Sequence, residues 1–77
     1  MLETLVANIA RALVDEPDQV SVNVIQGEQT SVIELKVAKS DLGKIIGRKG
    51  RTATALRTIL AAASTKLRQR TVLEIIE

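Results

Sequence analysis

From Gly43 the chain reads Gly43-Lys44-Ile45-Ile46-Gly47-Arg48-Lys49-Gly50-Arg51, and two of its four glycines, three residues apart, bracket a pair of cations. Gly47 can take the left-handed backbone conformation that stops a short helix, because it has no Cβ to clash. Gly50 leaves the backbone bare where a second helix is expected to begin, so a bulky group can approach closely. The first turn of that helix offers unpaired N–H groups and a positive dipole end, and both attract phosphate. Arg48 and Lys49 fall at the loop tip, where packing cannot bury both. The combination is suited to gripping a sugar-phosphate backbone.

Other phosphate-binding loops fail on spacing. No Gly-x-x-x-x-Gly-Lys-Ser/Thr occurs, and a dinucleotide fingerprint starting at Gly43 would need glycine where Ile45 stands. Nucleotide hydrolysis is therefore not expected. The chain has no cysteine and no histidine, which removes thiol chemistry, disulfides and the usual transition-metal sites. Its acidic residues are scattered over surface patterns rather than paired, so we expect no enzyme, no metal and no cofactor.

Charge is divided sharply along the chain. Residues 1–35 hold one cation (Arg11) against six anions, a net of −5, whereas residues 36–70 hold ten cations against Asp41 alone, a net of +9. Concentrating the basic residues around the glycine loop makes an electrostatic footprint for a polyanion. No apolar run approaches a membrane span, and residues 1–14 lack the cationic leader of a signal peptide. A cytoplasmic protein with no membrane partner is expected. At 77 residues and 45% hydrophobic content, a single globular domain over 1–77 is expected, near the lower limit for a self-sufficient core.

The elements that must position the loop follow from periodicity. Leu2, Val6, Ile9 and Leu13, widened by Leu5 and Ala12, predict an amphipathic helix that stops before Asp15-Glu16-Pro17. Val20, Val22 and Val24 alternate with polar residues and predict a strand over about 19–26. Ile33, Leu35 and Val37 predict another over about 31–38, joined to the first through Gly27-Glu28-Gln29-Thr30 as an antiparallel hairpin. Ser40 or Asp41 is placed to cap a short helix running through Ile46. After the loop, Ala53, Leu56, Leu60, Ala63 and Leu67 form the core face of a helix over about 51–68. Thr71, Leu73 and Ile75 alternate in a final strand. The result is an α+β chain of order α-β-β-α-α-β, with helices layered on a sheet.

With the string Lys44-Ile45-Ile46-Gly47-Arg48-Lys49-Gly50-Arg51 and this element order in view, the whole chain resembles a KH domain of type II, the bacterial form. It is similar to the small single-KH-domain RNA-binding proteins of the KhpA family. The resemblance implies a three-stranded mixed sheet with helices packed on one face and the last strand parallel to the strand before the glycine loop. A right-handed crossover satisfies that order. It further implies a groove for about four nucleotides of single-stranded RNA. There Lys44, Arg48, Lys49 and Arg51 would hold the backbone, and Gly47 and Gly50 would let it come close. Of Ile45 and Ile46, one packs inward and the other floors the groove. Lys66, Arg68 and Arg70 flank the segment corresponding to the family's variable loop, which is very short here. The chain has no Phe, Tyr or Trp, so base stacking on aromatic rings is absent and modest affinity is expected of one copy.

A second apolar stripe, Ala55, Ile59 and Ala62, adjoins the core face of the long helix. Either the first helix covers it or it is a dimer interface. The resembled family is associated with homodimers and with a larger KH-containing RNA-binding partner. Two functions follow: a single-stranded RNA-binding protein acting as post-transcriptional regulator or RNA chaperone, or a protein-interaction module in which RNA binding is secondary.

Overall fold

The computed structural model describes residues 2–76; Met1, expected at the start of the first helix, lies outside them. Helix α1 (Leu2–Leu13) leads to strand β1 (Ser21–Gln26) and strand β2 (Thr30–Lys36). Helix α2 (Leu42–Ile46), helix α3 (Arg51–Leu67) and strand β3 (Arg70–Ile76) follow. The fold is α+β, of type II KH order, with the sheet order β1-β2-β3.

β1 and β2 pair antiparallel, from Ser21 opposite Lys36 to Gln26 opposite Ser31. β3 lies parallel to β2, from Thr30 beside Arg70 to Lys36 beside Ile76. That register puts Val24, Ile33 and Leu73 in one row on the helix-covered face and Val22, Leu35 and Ile75 in the next. Ile33 and Leu35, at the centre of both rows, are essentially inaccessible. They pack with Val6, Ala10, Ile45, Leu56 and Leu60 from the helices. Truncating one of these large residues to alanine would cost about 2–5 kcal/mol, a large share of a small domain's stability.

Several expected boundaries and faces move. Pro17–Gln19 forms a 3-10 turn closed by Val20 N–H on the Pro17 carbonyl, so β1 starts at Ser21 rather than 19. Proline's fixed φ suits the first position of such a turn better than a strand. On α1 the buried residues are Val6, Ala7 and Ala10. Leu5, Ala12 and Leu13 are exposed, because the sheet covers only a narrow strip and small alanines let the helix approach it. On α3, Leu67 is likewise exposed. It lies in the last turn, where Ser64 is the last fully buried residue.

Neither Ser40 nor Asp41 caps α2. Asp41 is buried, and its carboxylate accepts the backbone N–H of Asp15 and of Glu16, each at 3.1 Å. Ser40 Oγ donates to the Glu16 carboxylate at 3.1 Å. These bonds join the start of α2 to the connection after α1, about 25 residues earlier.

Candidate nucleic-acid interface

α2 ends and α3 begins around the glycine loop. Ile45 is wholly buried, which anchors α2 to the core, while Ile46 is 39% exposed at the helix end. Ile45 therefore packs inward and Ile46 faces out. Gly47 accepts the turn with φ 79° and ψ 170°, its N–H bonded to the Gly43 carbonyl at 2.8 Å. A Cβ there would stand 2.8 Å from the backbone nitrogen of Thr52. Only glycine fits.

Arg48–Gly50 make a single tight turn, closed by Gly50 N–H on the Gly47 carbonyl at 3.1 Å. Lys49 (φ 56°, ψ 27°) and Gly50 (φ 74°, ψ 13°) are both left-handed, and together they turn the chain into α3. A Cβ at Gly50 would meet nothing within 4 Å, so the backbone there faces open space. Among the described residues no side chain caps the start of α3, and the N–H of Arg51, its first residue, donates to the Arg48 carbonyl. Arg48, Lys49 and Arg51 are exposed. Among the described residues none of the three forms an ion pair, so their charge is available.

Lys44 is placed differently. Its Nζ pairs with Asp15 and lies 3.7 Å from Asp41. The hydrogen bond that Lys44 donates to Asp15, with the two carboxylate charges, raises the Lys44 pKa above its usual value. Its direct partners are on the α1–β1 connection and at Asp41, and it does not line the depression beside the loop.

That depression, of about 600 Å³, lies between the loop and the edge strand. Ile46, Gly50, Ala53, Thr54 and Arg57 form one wall, and Ile75 and Ile76 of β3 form the other. Ile46 supplies apolar surface beside the cationic tip. Thr54, Arg57, Ile75 and Ile76 were not legible as site residues in the sequence. The signal for two of them was there: Gly50, Thr54 and Arg57 follow at four- and three-residue steps, which place them on one helix face. Ala55, Ile59 and Ala62 occupy another face of α3 and are exposed, Ile59 at 47%. α1 does not cover them. No group of three or more His, Cys, Asp or Glu among the described residues could hold a metal, and no helix is long and apolar enough to cross a membrane.

Residues 3–75 match the family described as KhpA/KhpB, KH domain. The chain belongs to the KhpA/KhpB family of KH domains. A curated relative from Caldanaerobacter subterraneus subsp. tengcongensis, named RNA-binding protein KhpA, is 56% identical over 94% of this chain and 96% of its own length. A relative of the same name from Borreliella burgdorferi is 49% identical over 95% of this chain and 89% of its own length. These KhpA relatives are named for binding rather than for a reaction, and the KhpA/KhpB family is non-enzymatic. The fold is also similar to part of Era, in a crystal structure with MgGDPNP and nucleotides 1506–1542 of 16S ribosomal RNA. There the TM-score is 0.63 at 22% identity, over 96% of this chain and 28% of that chain, a likeness of fold alone.

Proposed function

We propose that this protein is a single KH domain over residues 1–77 that binds single-stranded RNA through the loop Gly47-Arg48-Lys49-Gly50. The observation carrying this reading is the open backbone at Gly50, flanked by unpaired cations and set beside an apolar depression. Arg48, Lys49 and Arg51 hold phosphates, and Gly47 shapes the turn. Ile46 contacts the bases, and Ile45 supports it from the core. Lys44 acts mainly by bracing α2 against Asp15 and Asp41. The names of the relatives, RNA-binding protein KhpA, support the same ligand. The grip covers about four nucleotides, as such loops do. With no aromatic rings in the chain, affinity per copy is modest. That suits a cytoplasmic post-transcriptional regulator or RNA chaperone in a bacterium.

A second reading rests on Ile59. Its exposure between Ala55 and Ala62 favours pairing through α3, as a homodimer or with a larger KH-containing RNA-binding protein. Linked copies would raise the effective RNA concentration for one another. In this reading the fold serves mainly to recruit a partner.

Replacing both Arg48 and Lys49 with aspartate tests the first reading. Both side chains are exposed, so the far-UV circular dichroism should be unchanged. Losing two charge-assisted contacts at about 1.5 kcal/mol each weakens RNA binding at least about a hundredfold. An unchanged dissociation constant in the folded variant refutes it, and partner binding that survives the substitutions supports the second reading.

A further inference from the structure

A second depression, of about 660 Å³, opens between the later turns of α3 and the start of β3, and Arg57 lines both. Its lining includes Leu60, Ala61 and Leu73 together with Arg57, Arg68 and Arg70, and it contains no carboxylate. Arg57 lies on α3, Arg68 directly follows its last residue, and Arg70 opens the neighbouring strand. Among the described residues none of the three forms an ion pair.

The backbone supplies an independent observation. α3 closes with Gln69 N–H on the Ser64 carbonyl at 2.9 Å, and Arg68 takes the left-handed conformation at φ 57° and ψ 34°. Glycine is the residue that adopts this position without strain. The chain instead places an arginine there. Among the described residues the other non-glycine of positive φ is Lys49, in the loop at the opposite end of the same helix. Left-handed backbone carrying a cation thus stands at both ends of α3, and such strain concentrates at functional positions. Ser64, which also lines the second depression, keeps a buried Oγ with no hydrogen-bond partner.

Arginine is also the side chain whose flat guanidinium can stack on a base while its charge meets a phosphate. With no aromatic residue in the chain, these are its only side chains that can do so. A lined volume of this size suits a nucleotide. Its sharing of Arg57 with the depression beside the loop suits a continuing strand better than a separate small anion.

We propose that the RNA path runs on from the loop past Arg57 to Arg68 and Arg70, so that the footprint exceeds four nucleotides. This rests on the loop reading above. The test measures the full chain against unstructured RNAs of about four and about eight nucleotides, in titrations over a range of salt. The wild type should bind the longer RNA more tightly, with a salt slope steeper by about 1.4–2 if two or three further phosphates are held. Added registers alone would raise affinity without changing the slope. Arg68→Gly with Arg70→Gln should bring the longer RNA to the affinity and slope of the shorter one. Because glycine relaxes position 68, the variant's melting temperature should not fall, which separates lost contacts from lost fold. A variant with the wild-type slope on the longer RNA, or a wild type whose slope ignores length, overturns the extension while leaving the loop reading intact. A wild type that binds neither RNA overturns both.

Discussion

Gly47→Ala and Gly50→Ala should damage the protein by different mechanisms, although the two glycines are three residues apart in one motif. At Gly47 the backbone lies at φ 79° and ψ 170°, a region left almost entirely to glycine. A methyl group there would also stand 2.2 Å from Thr52 Oγ1, 2.7 Å from its Cβ and 2.8 Å from its backbone nitrogen. Rotating the threonine clears only the first of these, so the loop must shift against the first turn of α3. Backbone strain of about 1–3 kcal/mol plus that displacement puts the loss at about 3–5 kcal/mol. A chain of 77 residues has a total stability of about 4–12 kcal/mol. At about 4–8 °C per kcal/mol, the melting temperature should fall by at least about 12 °C. At Gly50 the added methyl meets nothing within 4 Å, and the left-handed conformation alone costs about 1–2 kcal/mol. That methyl would instead occupy the open space where RNA is proposed to approach, so Gly50→Ala should fold well and bind poorly. Urea titrations followed by circular dichroism give both stabilities. Equal losses for the two variants would refute the steric argument. So would full rescue of Gly47→Ala by Thr52→Ala, because the Thr52 backbone nitrogen remains.

Three further outcomes follow. With about four phosphates held, RNA affinity should fall with salt at a log–log slope of roughly −3, read by anisotropy; a slope near zero means the basic loop is not the binding surface. Ile59→Asp should leave the fold intact, since Ile59 is 47% exposed, and should convert any dimer into a monomer with weaker RNA binding. Light scattering on a wild type that is already monomeric at high concentration would reject the interface. Asp41→Asn should cost about 1–3 kcal/mol, because one amide nitrogen would face a backbone N–H of Asp15 or Glu16. The Lys44 pKa is raised in the folded state, chiefly by the hydrogen bond to Asp15. Its contribution is therefore complete below the ordinary lysine pKa and is lost as pH rises through the raised value. The melting-temperature gap between wild type and Lys44→Gln should persist at neutral pH and close in that alkaline window; a gap unchanged there would show that Lys44 acts through packing.

Local features were legible in the chain because their causes are local. Gly47 and Gly50 bracket Arg48 and Lys49 within one turn, and the strand alternation at Ile33 and Leu35 needs no distant partner to be seen. The element order, the basic segment after residue 35 and the apolar stripe at Ala55, Ile59 and Ala62 are local in the same sense. Tertiary structure decided whatever depends on residues far apart in sequence. It buried Ile45 and turned Ile46 outward, a choice that adjacent identical side chains cannot express. It drew Lys44 and Asp41 to the α1–β1 connection more than twenty residues earlier. It set Ile75 and Ile76 opposite Gly50 and Arg57 because β3 returns parallel to β2, beside the helix that precedes it. Leu67 and Leu13 fit a helical stripe and are nonetheless exposed, since periodicity names a face but the extent of the sheet decides how much of that face is covered.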